Sequence, residues 1–461
     1  MALRSFLLPI LSLSTLAFAC SSSSDDSAAA SPGVDPPADT TPAPAPAPPP
    51  AAPPPPAKPA YVPSFPTVSS RGGPVIASPR VVPIVFKGDT MESDIDTFTK
   101  KLAASSYWTG VATEYGVGAL TASDPIVLDE TPDMNLTSEQ IESWLVMKLT
   151  GATPELGAPD PNALYAVFYP SSTKITMDLG GGGAPSQSCQ AFGGYHSEIT
   201  AGATKVGYAV LPRCSGLDDL TVATSHEIFE WATDPFPMSN AAFDRLDDAH
   251  WAFQATFIGE LGDMCTFLDP GGYIKPAEIG YSVQRMWSNK ASKAGSFPCA
   301  PTSGGSYIQA IPEAADDTLV PDFFDLSGLK QVTTKAIRVA PGKSKSVDVL
   351  VYSDKPSTTQ VALRAMTWAE VYGMPDSSGF TFDLDKSRAA IGSTVSVTVT
   401  APKDASYDLL VMLAYLDDKH VEYWPVLVTN DDGAGLQASV RTHPGRTSFP
   451  RRIATRAGLP R

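Results

Sequence analysis

The stretch LDDLTVATSHEIFEWATDP, residues 217–235, predicts the helix around which the central part of this 461-residue chain is built. Side chains suited to a core recur at helical spacing along one face: Leu217, Leu220, Thr224, Ile228 and Trp231. Ser215 can cap the start of this helix. Asp234 ends it, because a residue that precedes proline leaves the helical conformation. We therefore expect a helix from Leu217 to Asp234 with one face in a core.

Three polar residues of this helix have the spacing of a metal site. His226 and Glu230 are four residues apart, so their side chains project from the same face, one turn from each other. An imidazole and a carboxylate placed in this way can bind one zinc ion. Glu227 lies about 100° round the helix, where it can take a proton from a water molecule at the metal. The pattern matches the zinc peptidase helix His-Glu-x-x-His with glutamate in the last place. The alternative interpretation is a surface helix with an acidic face and one incidental histidine.

A catalytic zinc site takes three protein ligands and leaves a fourth position to water. The segment from Glu260 to Cys265 follows the helix at a distance that permits a return to the site. Glu260 is the leading candidate for the third ligand, with Asp263 as the alternative, and the other of the two can orient a ligand from outside. His250 and His196 remain further candidates.

The N-terminus has the pattern of an export signal, residues 1–19. Arg4 is followed by an apolar run from Phe6 to Leu16 and by the small-residue pattern of residues 17–19. Cys20 comes directly after the cleavage point, as in bacterial lipoproteins, where this cysteine is acylated. We expect a palmitate-type lipid anchor in the cell-envelope membrane. Ordinary cleavage and secretion is the alternative, because Leu16 is one position further from Cys20 than is usual in lipoproteins.

The cysteine count favours lipidation. Four of the five cysteines fall within one region and can form two disulfide bridges: Cys189, Cys214, Cys265 and Cys299. Cys20 is left without a disulfide partner. A free thiol is unusual in an oxidising compartment, and acylation would account for it. The sequence thus predicts an exported protein that is anchored at the outer membrane or cell surface, or is secreted.

The domain organisation follows from composition. Residues 20–67 are rich in proline, alanine and serine and predict an extended tether behind the lipid anchor. Residues 68–303 are expected to form one metallopeptidase-like domain. Strands at 81–86, 164–169 and 206–211 alternate there with helices at 92–112 and 137–149, so the fold class is α+β or α/β.

Residues 304–431 are expected to form a β-sandwich. Short strands are predicted at 346–352, 360–366, 394–400, 409–416 and 424–428, between Gly, Pro, Asp and Ser clusters. We interpret this part as a spacer or stabilising module without chemistry of its own, with a binding role as the alternative. Residues 432–461 carry arginines without acidic residues after position 441 and predict a disordered basic tail.

The net charge of −16 narrows the classes of partner. An acidic surface repels phosphate backbones and anionic lipid, so nucleic-acid binding has no electrostatic support. The expected contact with a membrane is therefore through the lipid anchor alone. The sequence leaves the oligomeric state open.

Several motifs together resemble a known group of proteins. Gly194-Tyr195-His196-Ser197 follows Cys189, and Ser225-His226-Glu227-x-x-Glu230-x-x-Thr233-Asp234-Pro235 follows Cys214. Glu260-x-x-Asp263-x-Cys265 and Trp287-Ser288-Asn289 complete the order. This order, between about Val81 and Cys299, resembles bacterial secreted proteins related to the plant phosphate-induced (exordium-like) family.

The resemblance implies two disulfides, Cys189–Cys214 and Cys265–Cys299, and a metallopeptidase-like site at His226, Glu227 and Glu230. Together with the spacing of the ligands it predicts a zinc-dependent hydrolase of peptide bonds. The alternative is a non-catalytic cell-surface binding protein on a peptidase-like scaffold, because plant members of the family lack the His-Glu pair.

Overall fold

The computed structural model describes residues 61–178, 185–256, 259–268, 272–302, 305–325, 330–371, 373–376, 378–404, 406–416 and 421–430. The predicted signal peptide, Cys20, the tether up to residue 60 and the basic tail lie outside these residues. Among the helices that the structure describes, none combines the length and the apolar character needed to cross a lipid bilayer. We call residues 61–302 the helix–sheet region and residues 305–430 the sandwich region.

The helices of the described residues are short, with one exception of 17 residues. In chain order they are α1 (Glu92–Ala103), α2 (Ser106–Ala112), α3 (Ser138–Thr150), α4 (Leu217–Thr233), α5 (Trp251–Thr256), α6 (Leu261–Leu268), α7 (Asn289–Lys293) and α8 (Trp368–Val371), with 3₁₀ turns at Thr113–Tyr115 and Asp248–His250.

The strands of the helix–sheet region are β1 (Val68–Ser69), β2 (Arg80–Phe86), β3 (Thr121–Ala122), β4 (Ile126–Leu128), β5 (Asn135–Thr137), β6 (Ala163–Tyr169), β7 (Lys174–Met177), β8 (Ser186–Gln187), β9 (Tyr195–Ala201), β10 (Thr204–Pro212), β11 (Arg245–Leu246), β12 (Tyr273–Ile274), β13 (Val283–Gln284), β14 (Met286–Trp287) and β15 (Cys299–Ala300). Those of the sandwich region are β16 (Ile308–Pro312), β17 (Asp316–Pro321), β18 (Gln331–Arg338), β19 (Ser344–Ser353), β20 (Gln360–Thr367), β21 (Thr381–Leu384), β22 (Arg388–Ala390), β23 (Thr394–Thr400), β24 (Tyr407–Tyr415) and β25 (Val421–Thr429).

The main sheet of the helix–sheet region has the order β3-β2-β6-β10-β9, and β4 also pairs with β2. Strands β2, β6 and β10 are parallel, and β9 is antiparallel to β10 at the end of the sheet. Alternate residues of β2, β6 and β10 enter two different cores, as the two-residue period of a strand requires. On β6, for example, Leu164 and Phe168 face one core and Tyr165 and Val167 the other. A sheet with both faces covered explains why these strands are apolar throughout.

Helices α1, α2 and α4 cover one face of this sheet and α3 covers the other. The predicted helix at 92–112 is in fact two helices. Ser105, in an extended conformation between them, caps α2 by accepting a hydrogen bond from Trp108 N. The predicted helix at 137–149 begins as expected, with Thr137 and Gln140 forming a capping box.

The sandwich region contains two sheets, of order β16-β19-β23-β21 and β17-β18-β25-β24-β20-β22. Strand β23 has the predicted bounds and alternation, with Val395, Val397 and Val399 buried and the residues between them half-buried. The coarse prediction of a mixed α+β fold with a sandwich-like part is therefore confirmed.

The two regions share an apolar core. Helix α5 packs against β25, where Phe253 meets Trp424 edge to face at 4.9 Å. Trp251 stacks on Phe323 with ring centroids 4.6 Å apart and donates its indole N–H to Pro321 O at 2.9 Å. The segment that leads towards Glu260 is therefore held against the sandwich region.

The two disulfides join Cys189 to Cys214 and Cys265 to Cys299, as the resemblance implied. The first bridge ties the segment before β9 to the segment between β10 and α4, and the second ties α6 to β15. Disulfides form in oxidising compartments, so they indicate a location outside the cytoplasm.

Candidate metal centre

Helix α4 carries the predicted motif and lies against the main sheet. It begins after Gly216, whose backbone is extended; Ser215, the predicted cap, instead bonds the Asp219 carboxylate. Trp231 packs on β10 at Gly207, where a Cβ atom would lie 2.1 Å from the indole nitrogen. Only glycine fits there, and this close approach fixes how α4 is turned on the sheet.

His226, Glu230 and Asp263 form the first of two groups that could hold a metal ion, here called the outer group. His226 Nε2 lies 3.0 Å from Glu230 Oε2 and 3.5 Å from Asp263 Oδ1. Zinc–ligand bonds of 2.0–2.2 Å in a tetrahedron place neighbouring ligand atoms about 3.4 Å apart. The outer group thus has the donor types and the spacing that one such ion requires.

The second group, here called the inner group, consists of His196, Glu230 and Glu260. His196 lies on β9, and its Nε2 is 3.5 Å from Glu260 Oε1 while its Nδ1 is 3.9 Å from Glu230 Oε2. One ligand atom from each residue lies within 4.8 Å of the others. Among the described residues these are the two such groups of three, and Glu230 belongs to both.

Glu230 also joins two helices. Its Oε1 accepts hydrogen bonds from the backbone N–H groups of Gly262 and Asp263, both at 2.9 Å. These N–H groups belong to the first turn of α6 and have no partner within that helix, so the Glu230 carboxylate acts as a cap from outside. A Cβ atom on Gly262 would lie 2.7 Å from His226 Nδ1 and 2.9 Å from Glu230 Oε1. Glycine at this position is what lets α6 approach these two side chains.

Glu227 is buried next to both groups. Its Oε2 lies 3.3 Å from His196 Nδ1. Gly194, just before β9, leaves the space for this side chain, because a Cβ atom there would lie 3.0 Å from Glu227 Oε1. The motif around His196 and the motif on α4 therefore meet at Glu227.

The side chains at the centre are unequally exposed. His226 and Asp263 keep 12% and 22% of their side-chain surface, whereas Glu230 and His196 keep 3% each. Glu260 keeps 15%, so each group has a partly exposed member, and Glu230 and His196 are the most deeply buried side chains of the two groups.

Burial changes the pKa values of the carboxyl groups. Burial, followed by the charge of Glu230, raises the pKa of Asp263 to about 7. Burial raises the pKa of Asp234 to about 6 and, together with the Glu230 charge, holds the pKa of Glu260 well above its usual value. For Glu230, burial is outweighed by the charge and hydrogen bond of His226, so its pKa is lowered.

The pKa values of the two histidines are raised, although burial by itself lowers the pKa of a histidine. Burial alone would lower the pKa of His196, but the charges of Glu260 and Glu227 raise it well above the usual value. The charges of Glu230 and Glu227 have the same effect on the pKa of His226. Both shifts reflect an excess of negative groups at the centre.

The structure brings together most of the predicted site residues, in an arrangement more detailed than the sequence indicated. Asp263, the alternative third ligand, stands with His226, and Glu260, the leading candidate, stands with His196. His250 lies elsewhere, against Asp247 Oδ1 at 2.7 Å. Asp234, which the sequence pattern marks only as the end of α4, has a buried carboxylate that accepts the Ala242 N–H at 2.8 Å.

Comparison with known proteins identifies no family for this chain. No family model and no curated protein matches it. Solved structures that share some similarity include the surface-layer protein SbsC, domains 1–6, at 13% identity over 22% of this chain with a TM-score of 0.15. A conjugative transposon lipoprotein from Bacteroides eggerthii matches at 9% identity over 27% of this chain and 98% of its own length, with a TM-score of 0.17. The present chain spans 14% of the SbsC structure. These TM-scores are too low to support any argument about fold or function.

Proposed function

We propose that this protein is a metal-dependent hydrolase of peptide bonds, with zinc as the metal and the helix–sheet region as a metallopeptidase-like domain. The observation that carries the proposal is the outer group, in which His226 Nε2 faces Glu230 and Asp263 at 3.0 and 3.5 Å. One imidazole and two carboxylates are a suitable ligand set for zinc and leave a fourth position open. Asp263 takes the role of third ligand in this proposal.

The charges at the centre support a cation there. In the described part of the chain, the ion pairs of Glu230 and Asp263 are made with histidines, and none with lysine or arginine is found. Burying an ionised carboxylate costs free energy unless a positive charge compensates it, and a metal ion can supply that charge. A bound zinc ion supplies Lewis-acid chemistry, which polarises a carbonyl oxygen and makes water more acidic.

Glu227 is the proposed general base. Its carboxylate lies on the same helix one residue after His226 and is buried beside the ligands, within 3.3 Å of His196 Nδ1. A carboxylate in this place can take a proton from an attacking water molecule and return it to the leaving amine.

Strand β9 favours a peptide as substrate. It carries His196 and, within the described residues, pairs only with β10, so it is an edge strand beside the candidate centre. An edge strand offers unpaired backbone groups to which an extended peptide can add. Half-buried and exposed residues such as Ser197 and Thr200 leave this edge accessible.

Anchoring through Cys20 is part of the proposal. The two disulfides place the folded part in an oxidising compartment. Acylation at Cys20 would then hold the protein at the cell envelope through the part of the predicted tether that precedes residue 61.

The test combines metal analysis with one isosteric substitution. We expect Glu227→Gln to keep the metal content of the wild type, measured by elemental mass spectrometry. Hydrolysis of a peptide library should fall about 100- to 10,000-fold, the usual contribution of a general base. The exposed residue Glu114 provides a control, because Glu114→Gln removes the same charge from the surface and should leave hydrolysis unchanged.

Normal cleavage by Glu227→Gln would refute the proposed mechanism. A folded, disulfide-bonded wild type that binds no metal after incubation with zinc would refute the enzyme and favour the non-catalytic binding protein.

A further inference from the structure

The proposed function assigns an ion to the outer group and gives the inner group no role. His196 and Glu260 come from β9 and from the residue before α6, and neither is a ligand in the outer group. They nevertheless meet Glu230 with ligand atoms within 4.8 Å of one another. Glu230 Oε1 accepts hydrogen bonds from two backbone N–H groups, which fixes the orientation of the carboxylate. Its other oxygen, Oε2, therefore faces His226 Nε2 at 3.0 Å and His196 Nδ1 at 3.9 Å.

The charges at the centre exceed what one ion compensates. Five carboxylates lie together there: Glu227, Glu230, Asp234, Glu260 and Asp263. Within the described ranges, no lysine or arginine forms an ion pair with any of them. With both histidines neutral and the three carboxylates of the two groups ionised, as metal ligands must be, one divalent ion leaves one negative charge uncompensated. Buried charge of this size requires a partner.

The carboxylate of Glu260 has one oxygen that the described residues leave without a hydrogen bond. Its Oε1 is buried, and no donor among the described residues forms a hydrogen bond with it. The nearest positive group is His196 Nε2, at an ion-pair distance of 3.5 Å. A buried carboxylate oxygen without a hydrogen bond is unusual and calls for a water molecule or an ion.

We propose that the inner group binds a second divalent metal ion, with Glu230 shared between the two ions. This inference rests on the proposed function, because it assumes that the outer group holds the first ion. Paired ions about 3.5–4 Å apart with a shared ligand occur in hydrolytic enzymes, where both act on one reacting group. One histidine and two carboxylates suit zinc or manganese in the inner group.

The experiment counts ions in the full chain, purified with its disulfides intact and saturated with zinc. We expect two zinc ions per wild-type chain by elemental mass spectrometry. His196→Gln and Glu260→Gln should each retain one ion, Asp263→Asn should retain one, and Glu230→Gln should retain none. His250→Gln is the matched control, because His250 bonds Asp247 outside both groups and this variant should retain two ions.

A second readout separates loss of a ligand from loss of fold. Circular dichroism and the melting temperature of each metal-stripped variant establish that it is folded. In the wild type loaded with Mn²⁺, the electron paramagnetic resonance spectrum should show a coupled pair of ions, and His196→Gln should give the spectrum of a single ion.

The outcomes distinguish this inference from the proposed function. One ion in the wild type, kept by His196→Gln and lost in His226→Ala, would overturn the second site and leave the proposed function standing. No ion in the folded wild type would overturn both.

Discussion

The helix–sheet region and the sandwich region are both built around buried apolar strands, but they differ in what else they bury. The helix–sheet region buries charged and titratable side chains close together, including His196, Glu227, Glu230 and Asp234. In the described part of the sandwich region, the polar side chains that are equally buried are uncharged: Gln309, Thr318, Thr334, Thr367, Thr429 and Asn430. Burial of charge costs free energy and does not improve packing.

The difference indicates where the chemistry of the molecule is to be found. The described strands of the sandwich region need no charge in their core to be stable. On the face of the main sheet that α3 covers, Lys148 is buried but is paired with Glu130 and Glu155. Among the described residues, the acidic side chains that are buried, Glu227, Glu230 and Asp234, lie where α4, α6 and β9 meet. Perturbed titration at one place is typical of a functional site.

The pH dependence of the metal-free protein should give the largest effect. The pKa of Asp263 is raised to about 7, that of Asp234 to about 6 and those of the two histidines well above their usual values. Between about pH 4.5 and 8 the folded state therefore binds more protons than the unfolded state. The free energy of unfolding should fall as the pH rises, by up to about 1.4 kcal/mol per pH unit for each group.

Urea unfolding after removal of metal, at pH 5.5 and pH 8, measures this dependence. Glu230 has the opposite sign, because its lowered pKa contributes stability that is lost only at acid pH, below the measured window. Asp263→Asn should reduce the slope. If the metal-free protein becomes more stable as the pH rises, the buried groups of the centre do not determine the pH dependence of its stability.

Contacts of Trp251 with the sandwich region should contribute both to the stability of the fold and to metal affinity. Replacing Trp251 with alanine removes the stacking on Phe323 and the hydrogen bond to Pro321, and the free energy of unfolding should fall by about 3–5 kcal/mol. Metal affinity should also fall, because α5 leads to the segment that carries Glu260 and Asp263. Urea unfolding and zinc titration measure the two effects.

Leu410→Ala is the control for this variant. Leu410 is fully buried in β24, so its loss should cost about 2–5 kcal/mol of stability while zinc affinity is unchanged. Equal zinc affinity in both variants would mean that the sandwich region has no part in holding the centre.

Gly262→Ala should damage the centre and spare the fold. The added methyl group would meet His226 Nδ1 at 2.7 Å and Glu230 Oε1 at 2.9 Å, so a ligand or α6 must move. We expect zinc affinity to fall about 10- to 100-fold, as when a residue supporting a metal ligand is lost. Gly110→Ala, in α2 with open space around its Cβ position, should bind zinc normally. Unchanged affinity in Gly262→Ala would argue against zinc at the outer group.

Thr137→Ala should have the smallest effect. Thr137 caps α3 on the far face of the main sheet, and its loss should lower the free energy of unfolding by about 1 kcal/mol. Zinc titration should give the wild-type affinity. A loss of zinc binding in this variant would show that the two faces of the sheet are not independent.

Much of the fold could be predicted from the sequence because local patterns were strong. Strand β23 was predicted with the observed bounds, since valine alternates there with polar residues. The break at Ser105 was missed because a serine within an apolar helical pattern can be an interior residue or an N-cap, and its hydrogen bond to Trp108 N decides between them.

The closeness of His226 and Glu230 could be predicted because the spacing of a helix places both side chains on one face. The partition of Glu260 and Asp263 between two groups could not. Their separation of three residues suggests a common face, but α6 begins at Leu261, so Glu260 lies before the helix and Asp263 within its first turn. Their different neighbours depend on where α6 starts, which the sequence did not indicate.

The disulfide between Cys265 and Cys299 has a consequence for how the centre is assembled. Cys265 lies in α6, two residues after Asp263, and the bond fixes that helix to β15. Thermodynamic reciprocity requires that, if this bond raises the affinity for an ion, the ion resists reduction of the bond by the same factor. If the centre binds an ion, thiol oxidation and metal loading form one coupled equilibrium, and a reducing compartment favours the metal-free, reduced side of it.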